Sequence, residues 1–127
     1  MKPVRVLVTG AGSGVGQGII KSLRICNYPV TIISADISPF NSALYRADEA
    51  LIIPKVEDLN ALTSIIKIIN ANNINVVMVG SEFDLMFFSK NKEHIYSKTG
   101  AITIVSPSET VAIADDKWLT AKFLQDN

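Results

Sequence analysis

Five glycines, Gly10, Gly12, Gly14, Gly16 and Gly18, alternate through the stretch Val6 to Gly18, VLVTGAGSGVGQG. Glycine accepts positive φ and lets another backbone or a ligand come close. A β-branched run precedes the cluster and a helical pattern follows it, so the loop lies where a strand passes into a helix N-terminus. Unpaired N–H groups and the positive end of the helix dipole converge at such a place, which makes it a ready seat for a carboxylate or phosphate. The carboxylates Asp36 and Glu82 offer the opposite chemistry, because an acid at a rim suits an ammonium or a hydroxyl group. An anion-seeking loop beside carboxylates suits a zwitterion such as an amino acid.

The elements that must position these groups alternate along the chain. Val4 to Val8 reads as a buried strand, and Val15, Ile19, Leu23 and Cys26 follow at helical spacing, predicting a helix from Gly14 to about Asn27 with Cys26 in the core. Val30 to Ser34 is a second, β-branched strand with Asp36 just past its end. Ala50 to Ile53 makes a third, stopped by Pro54. Leu59, Leu62, Ile66 and Ile69 mark a second helix capped by Asp58. Asn75 to Val79 is a fourth strand, and Ser81 with Asp84 forms a capping-box pattern for a third helix. Ala101 to Val105 is a fifth strand. Ser106-Pro107-Ser108-Glu109 signals another helix, with Ser106 as its cap, and Asp115 to Asn127 a last short one.

Strands that alternate with helices and read as continuous apolar runs predict an α/β fold, a three-layer doubly wound, Rossmann-like domain. Its five-stranded parallel sheet takes the order 3-2-1-4-5. Ligands of such sheets bind beyond the carboxyl ends of the strands. That rule puts the Gly10–Gly16 loop, Asp36 and Gly80–Asp84 along one edge. Gly18 is expected to ease helix–strand contact instead of ligand approach.

Composition narrows the field. Twelve basic and twelve acidic residues balance with no basic stripe, which argues against nucleic acid. No apolar run approaches the roughly 20 residues of a membrane span. The start lacks the apolar segment of a signal peptide, and the single cysteine fits a reducing, cytoplasmic setting. His94 is the only histidine and has no cysteine near it, so no metal site is expected.

The strict G-x-G-x-x-G pattern fails because Val15 stands where the third glycine belongs. The variant T-G-x-x-x-G-x-G is complete at Thr9, Gly10, Gly14 and Gly16 and resembles the cofactor loop of short-chain dehydrogenases, with Asp36 in the place of their ribose acid. That resemblance implies an NAD(P)-binding reductase as one alternative. Their Tyr-x-x-x-Lys pair is missing: Tyr28, Tyr45 and Tyr96 are followed at that spacing by Ile32, Glu49 and Gly100. A non-catalytic ligand-binding or regulatory module is the other alternative.

A second resemblance covers nearly the whole chain. Gly16-Gln17-Gly18-Ile19-Ile20 after a VLVTG strand, Asp36, the run Ala43-Leu44-Tyr45-Arg46-Ala47-Asp48, Pro54, and Gly80 with Glu82 and Asp84 come in order. They end on Ser106-Pro107, Asp116-Lys117, Thr120 and Phe123-Leu124. In order and spacing they resemble the N-terminal, pre-ATP-grasp domain of ATP-grasp ligases of the carbamoyl-phosphate-synthase large-subunit-like group. The loop Gly80-Ser81-Glu82 departs from the Thr-Asp pair of many relatives.

The resemblance implies residues 1–106 as the Rossmann-like domain and 107–127 as a helical segment leading to an absent C-terminal ATP-grasp domain. The chain is then the substrate-side part of an ATP-dependent carboxylate–amine ligase acting through an acyl-phosphate, and is not catalytic alone. ATP and Mg belong to the full-length parent. A small carboxylate or amino acid is the expected substrate, and a homodimer is possible. Gly12, Ser13, Gly14, Val15, Gly16 and Gln17 are the expected substrate loop, Asp36 and Glu82 its acids, and Lys117 the residue that approaches the nucleotide.

Overall fold

The computed structural model describes residues 1–127. Five parallel strands, β1 (Val4–Thr9), β2 (Val30–Asp36), β3 (Glu49–Ile52), β4 (Val76–Val79) and β5 (Ile102–Ile104), lie in the order β3-β2-β1-β4-β5. The helices are α1 (Gly14–Ile25), α2 (Ala61–Ala71), α3 (Glu82–Thr99), α4 (Ser108–Asp115) and α5 (Lys117–Asp126). This is the α/β, Rossmann-like order expected from the sequence. No helix is long and apolar enough to cross a membrane.

Strand periodicity divides the core in two. Leu7, Ile33 and Val77 point to one face, where they meet Ile65 and Ile69 of α2 and Phe88 and Ile95 of α3. Each such fully buried side chain contributes about 1.5–3 kcal/mol. Val6, Val8 and Ile32 point to the other face, against Ile20 of α1 and Ala43. The latter belongs to a 3-10 helix, Ser42–Arg46, within the stretch that the sequence left irregular. Asp48 explains the Ala-Asp pair at the end of that stretch. Its Oδ2 accepts the Ile32 N–H at 2.8 Å and its Oδ1 accepts Arg24 at 2.7 Å. Burial alone would raise the Asp48 pKa, but these bonds outweigh it and hold the carboxyl below its ordinary value.

Several local expectations shift. Leu59 is fully exposed and precedes α2, whose N-cap is Asn60 instead of Asp58; Ala61, Ile65 and Ile69 form the buried face. Ser81 is the N-cap of α3 but makes no side-chain cap bond, so the capping box is not formed. Pro107 is the N-cap of α4, one residue later than expected, because the Ser106 carbonyl is engaged by the Ser89 hydroxyl at 2.6 Å. Asp36 ends β2 instead of following it. Cys26 is exposed, not core, since α1 stops before it and its face is completed by Ile20. Beside Gly18 an added Cβ would meet nothing; the helix–strand contact belongs to Gly16, where a Cβ would lie 2.3 Å from the Gly10 carbonyl oxygen.

Candidate functional site

The glycine loop is a tied structure. Gly10 has φ +53°, and a Cβ there would meet Ser81 Cβ at 2.5 Å, so only glycine fits the turn. The Ser13 N–H donates to the Gly10 carbonyl at 3.0 Å. Ser13 Oγ accepts the Gly16 N–H at 2.9 Å and donates to the Gly80 carbonyl, so one N-cap serine clamps the end of β4 to the start of α1. Gly80 must be bare for the same reason: its Cβ would lie 2.4 Å from the Thr9 carbonyl oxygen.

Asp36 completes the tie. Its Oδ2 accepts the Gly12 N–H at 3.0 Å and the Asn41 amide at 3.2 Å, while Oδ1 accepts the Ser38 N–H at 3.2 Å. A Cβ on Gly12 would displace the Asn41 amide from its bond to Asp36. The N–H groups of Gly12, Ser13 and Gly16 are therefore already used within the protein. Those of Gly14 and Val15, on the exposed first turn of α1, have no partner. The open donors of the loop are two, not the five expected from Gly12 to Gly16.

A cleft of about 570 Å³ opens at the carboxyl edge of the sheet. Gly10 and Ser13 come from the glycine loop, Asp36 and Ile37 from the end of β2, Ile53, Lys55, Val56 and Glu57 from the end of β3, and Ser81, Phe83 and Asp84 from the end of β4. Its ionisable groups are Asp36, Glu57, Asp84 and a single cation, Lys55. Burial pushes the Asp84 carboxyl up, and the nearby charges of Glu57 and Asp36 push it further. The buried Thr9 hydroxyl beside Asp84 pulls the other way, favouring the ionised form more than either neighbouring charge opposes it. Burial and like charge win. The cleft thus holds surplus negative charge in a partly desolvated place, where a bound cation gains most.

Of the residues expected from sequence, Ser13 and Asp36 line this cleft. Gln17 turns away: it donates to the Gly12 carbonyl at 3.2 Å, accepts Arg46 at 3.3 Å, and borders a different hollow with Lys21 and Arg24. Glu82 faces a second groove, between β5 and α4, so it does not share a pocket with Asp36. Lys117 opens α5, is exposed, and borders neither hollow. Lys55 and Glu57 escaped the sequence reading. The sequence marks the connection after β3 only by a strand stop at Pro54, although the carboxyl-edge rule applies to it as much as to the loops after β1, β2 and β4.

Comparison with known proteins gives the context. Residues 6–105 match the family described as PylC-like, N-terminal domain. No curated protein sequence matches the chain. Among solved structures, the biotin carboxylase domain of a single-chain bacterial carboxylase is 16% identical with a TM-score of 0.62, over 98% of this chain and 29% of that one. The biotin carboxylase subunit of pyruvate carboxylase is 14% identical with a TM-score of 0.65, over 98% and 28%. A complete multifunctional pyruvate carboxylase from Rhizobium etli is 13% identical with a TM-score of 0.61, over 95% and 13%. At such identities the likeness is one of fold, and this chain spans less than a third of each of those proteins. The match over residues 6–105 goes further: the chain belongs to the PylC-like N-terminal domain family, an N-terminal domain of ATP-grasp ligases.

Proposed function

We propose that this domain forms the substrate side of an ATP-dependent ligase that joins a carboxylate to an amine through an acyl-phosphate, and that the domain has no ligase activity alone. The observation that carries the reading is the convergence of Asp36, Glu57, Asp84 and Lys55 in one cleft that also takes in Gly10 and Ser13 of the glycine loop. Carboxylates receive the ammonium of an amino acid, and the helix N-terminus with Lys55 receives its carboxylate. Ile37, Ile53, Val56 and Phe83 give the apolar wall for its side chain.

Large apolar side chains stand exposed in the segments that follow four of the five strands at this edge: Val15, Phe40, Leu59 and Phe83. Such a rim suits cover by a further domain. Residues 107–127 then form the lead-in to the ATP-grasp domain, with Trp118 and Phe123 of α5 packing on it and Lys117 directed towards the nucleotide. The residues of this chain do not fit ATP and Mg by themselves. No three His, Cys, Asp or Glu side chains converge as a metal site, and Lys117 lies apart from the cleft. Both belong to the ATP-grasp part of the parent, and the resemblance of this chain to the N-terminal domains of the carbamoyl-phosphate-synthase group favours the same chemistry. A cytoplasmic location and a homodimer of the parent belong to the same proposal.

A thermal-shift panel of amino acids, simple carboxylates, ATP, NAD(H) and NADP(H) tests the reading on this chain. Ligand at 100 times its Kd stabilises by about 2.7 kcal/mol. Stabilisation by amino acids, lost in Asp84→Asn, is expected. Tight binding of a nicotinamide nucleotide would favour the reductase instead.

A further inference from the structure

The groove that Glu82 faces has about 770 Å³ of space and runs beside β5, the outer strand of the sheet. Its walls are Leu85 of α3, Ile104 and Val105, and Val111 and Ala114 of α4. The main chain of β5 dictates what can fill it. Ile102 pairs with Val76 and its N–H donates to the Asn75 carbonyl at 2.9 Å, so Ile102 and Ile104 bond inward to β4. The alternation of a parallel ladder then turns the N–H and C=O of Thr103 outward, into the groove side. An extended backbone matches this row of groups; a helix or a small ligand does not.

The fold supplies the remaining features of a strand position. Thr103 Oγ1 is buried without a hydrogen-bond partner in the middle of this edge. Ile102 and Ile104 are 57% and 55% exposed, on the face where no helix crosses β5. α4 packs against α3, on the opposite face, and roofs the place beside β5. A strand inserted there would have apolar neighbours on both faces. A second copy of this chain fits poorly, because its β5 already carries its own α3, which would collide with α4. The ionisable residues of the groove are Glu82 and Asp115, both acidic.

We propose that this groove binds an extended segment of a partner protein as a sixth strand, with apolar residues at alternate positions and basic residues at its ends. Main-chain bonds to Thr103 provide the attachment, and Glu82 and Asp115 select for positive charge.

The proposal is tested by titrating the labelled 127-residue chain with a capped valine–threonine–valine peptide flanked by arginines and recording amide resonances. Saturable shifts at Thr103, Val105, Val111 and Ala114 are expected, with binding at least about tenfold weaker for the glutamate-flanked peptide. Thr103→Pro leaves the inward bonds intact, as an outward N–H permits, and should weaken binding about fivefold, the loss of one main-chain hydrogen bond. A peptide N-methylated at its centre gives the same comparison should Thr103→Pro fail to fold. Absence of saturable shifts, shifts centred elsewhere, indifference to flanking charge or N-methylation, or sedimentation as a dimer with protected β5 amides would each overturn it.

Discussion

The Asp36 carboxylate accepts the Gly12 N–H at 3.0 Å, joining the last residue of β2 to the turn that opens α1. An acid that in a nucleotide-binding sheet would face a ribose is here largely spent on the protein itself. Asp36→Ala should therefore destabilise the domain by about 2 kcal/mol, the range for hydrogen bonds to a charged group. The Gly12 amide should lose hydrogen-exchange protection before the rest of β1 does. Unchanged stability and protection would mean that the carboxylate does not tie the loop to β2.

Two glycines of one loop should respond oppositely to the same change. Gly16→Ala forces a methyl to within 2.3 Å of the Gly10 carbonyl oxygen and should cost about 1–3 kcal/mol. Gly14→Ala meets nothing within 4 Å at the first turn of α1 and should stabilise by about 0.4–1 kcal/mol. Denaturant melts of both variants make the comparison.

Asp84 and Asp48 should give pH dependences of opposite sign. The Asp84 carboxyl is held above its ordinary value, so its protonation favours the folded state; the penalty of its charge grows as pH rises through that raised value. Asp84→Asn should raise Tm at neutral pH, and the gain should vanish in acid. Asp48 is held below its ordinary value, so its support is complete at neutral pH and disappears as pH falls through the depressed value. Asp48→Asn should lower Tm at neutral pH and matter less in acid. Thermal melts between pH 3 and 8 would expose a failure of either sign.

α5 contains no buried residue, and Trp118 is 75% exposed. Removing Lys117 to Asn127 should leave the cooperative melt of the sheet within about 1 kcal/mol. It should also reduce self-association, because the exposed apolar helix goes with it. A large loss of stability would mean that α5 is part of the core.

Most of the fold is legible in the sequence because strand patterns and punctuation agree. Val4–Val8, Val30–Ser34 and Asn75–Val79 are apolar runs bounded by glycine, proline or asparagine, and parallel order follows from the helices between them. Helix starts are less legible. Ser81 and Ser106 carry capping signals, yet Ser81 makes no cap bond and the Ser106 carbonyl is taken by Ser89, a partner 17 residues away. Leu59 fits the helical period but lies outside α2, since periodicity cannot tell a last loop residue from a first helical one.

The cleft was half legible. Asp36 and Ser13 carry local signals in the strand end and the glycine loop. Lys55 and Glu57 carry none, and only the folded sheet edge brings them to Asp84. Nor could spacing reveal that the amides of Gly12 and Gly16 are consumed internally, because their partners, Asp36 Oδ2 and Ser13 Oγ, depend on side-chain direction.

The central claim is that this cleft holds the amine-bearing substrate of an ATP-grasp ligase. It is tested most directly by ADP formation from ATP by the intact parent protein, across a panel of amino acids, with and without Asp84→Asn. The account predicts stimulation by particular amino acids, with Asp84→Asn raising their KM at least about tenfold, the loss of one charge-assisted contact, while KM for ATP is unchanged. An amino-acid KM indifferent to Asp84→Asn, or a KM for ATP that rises in its place, would contradict it.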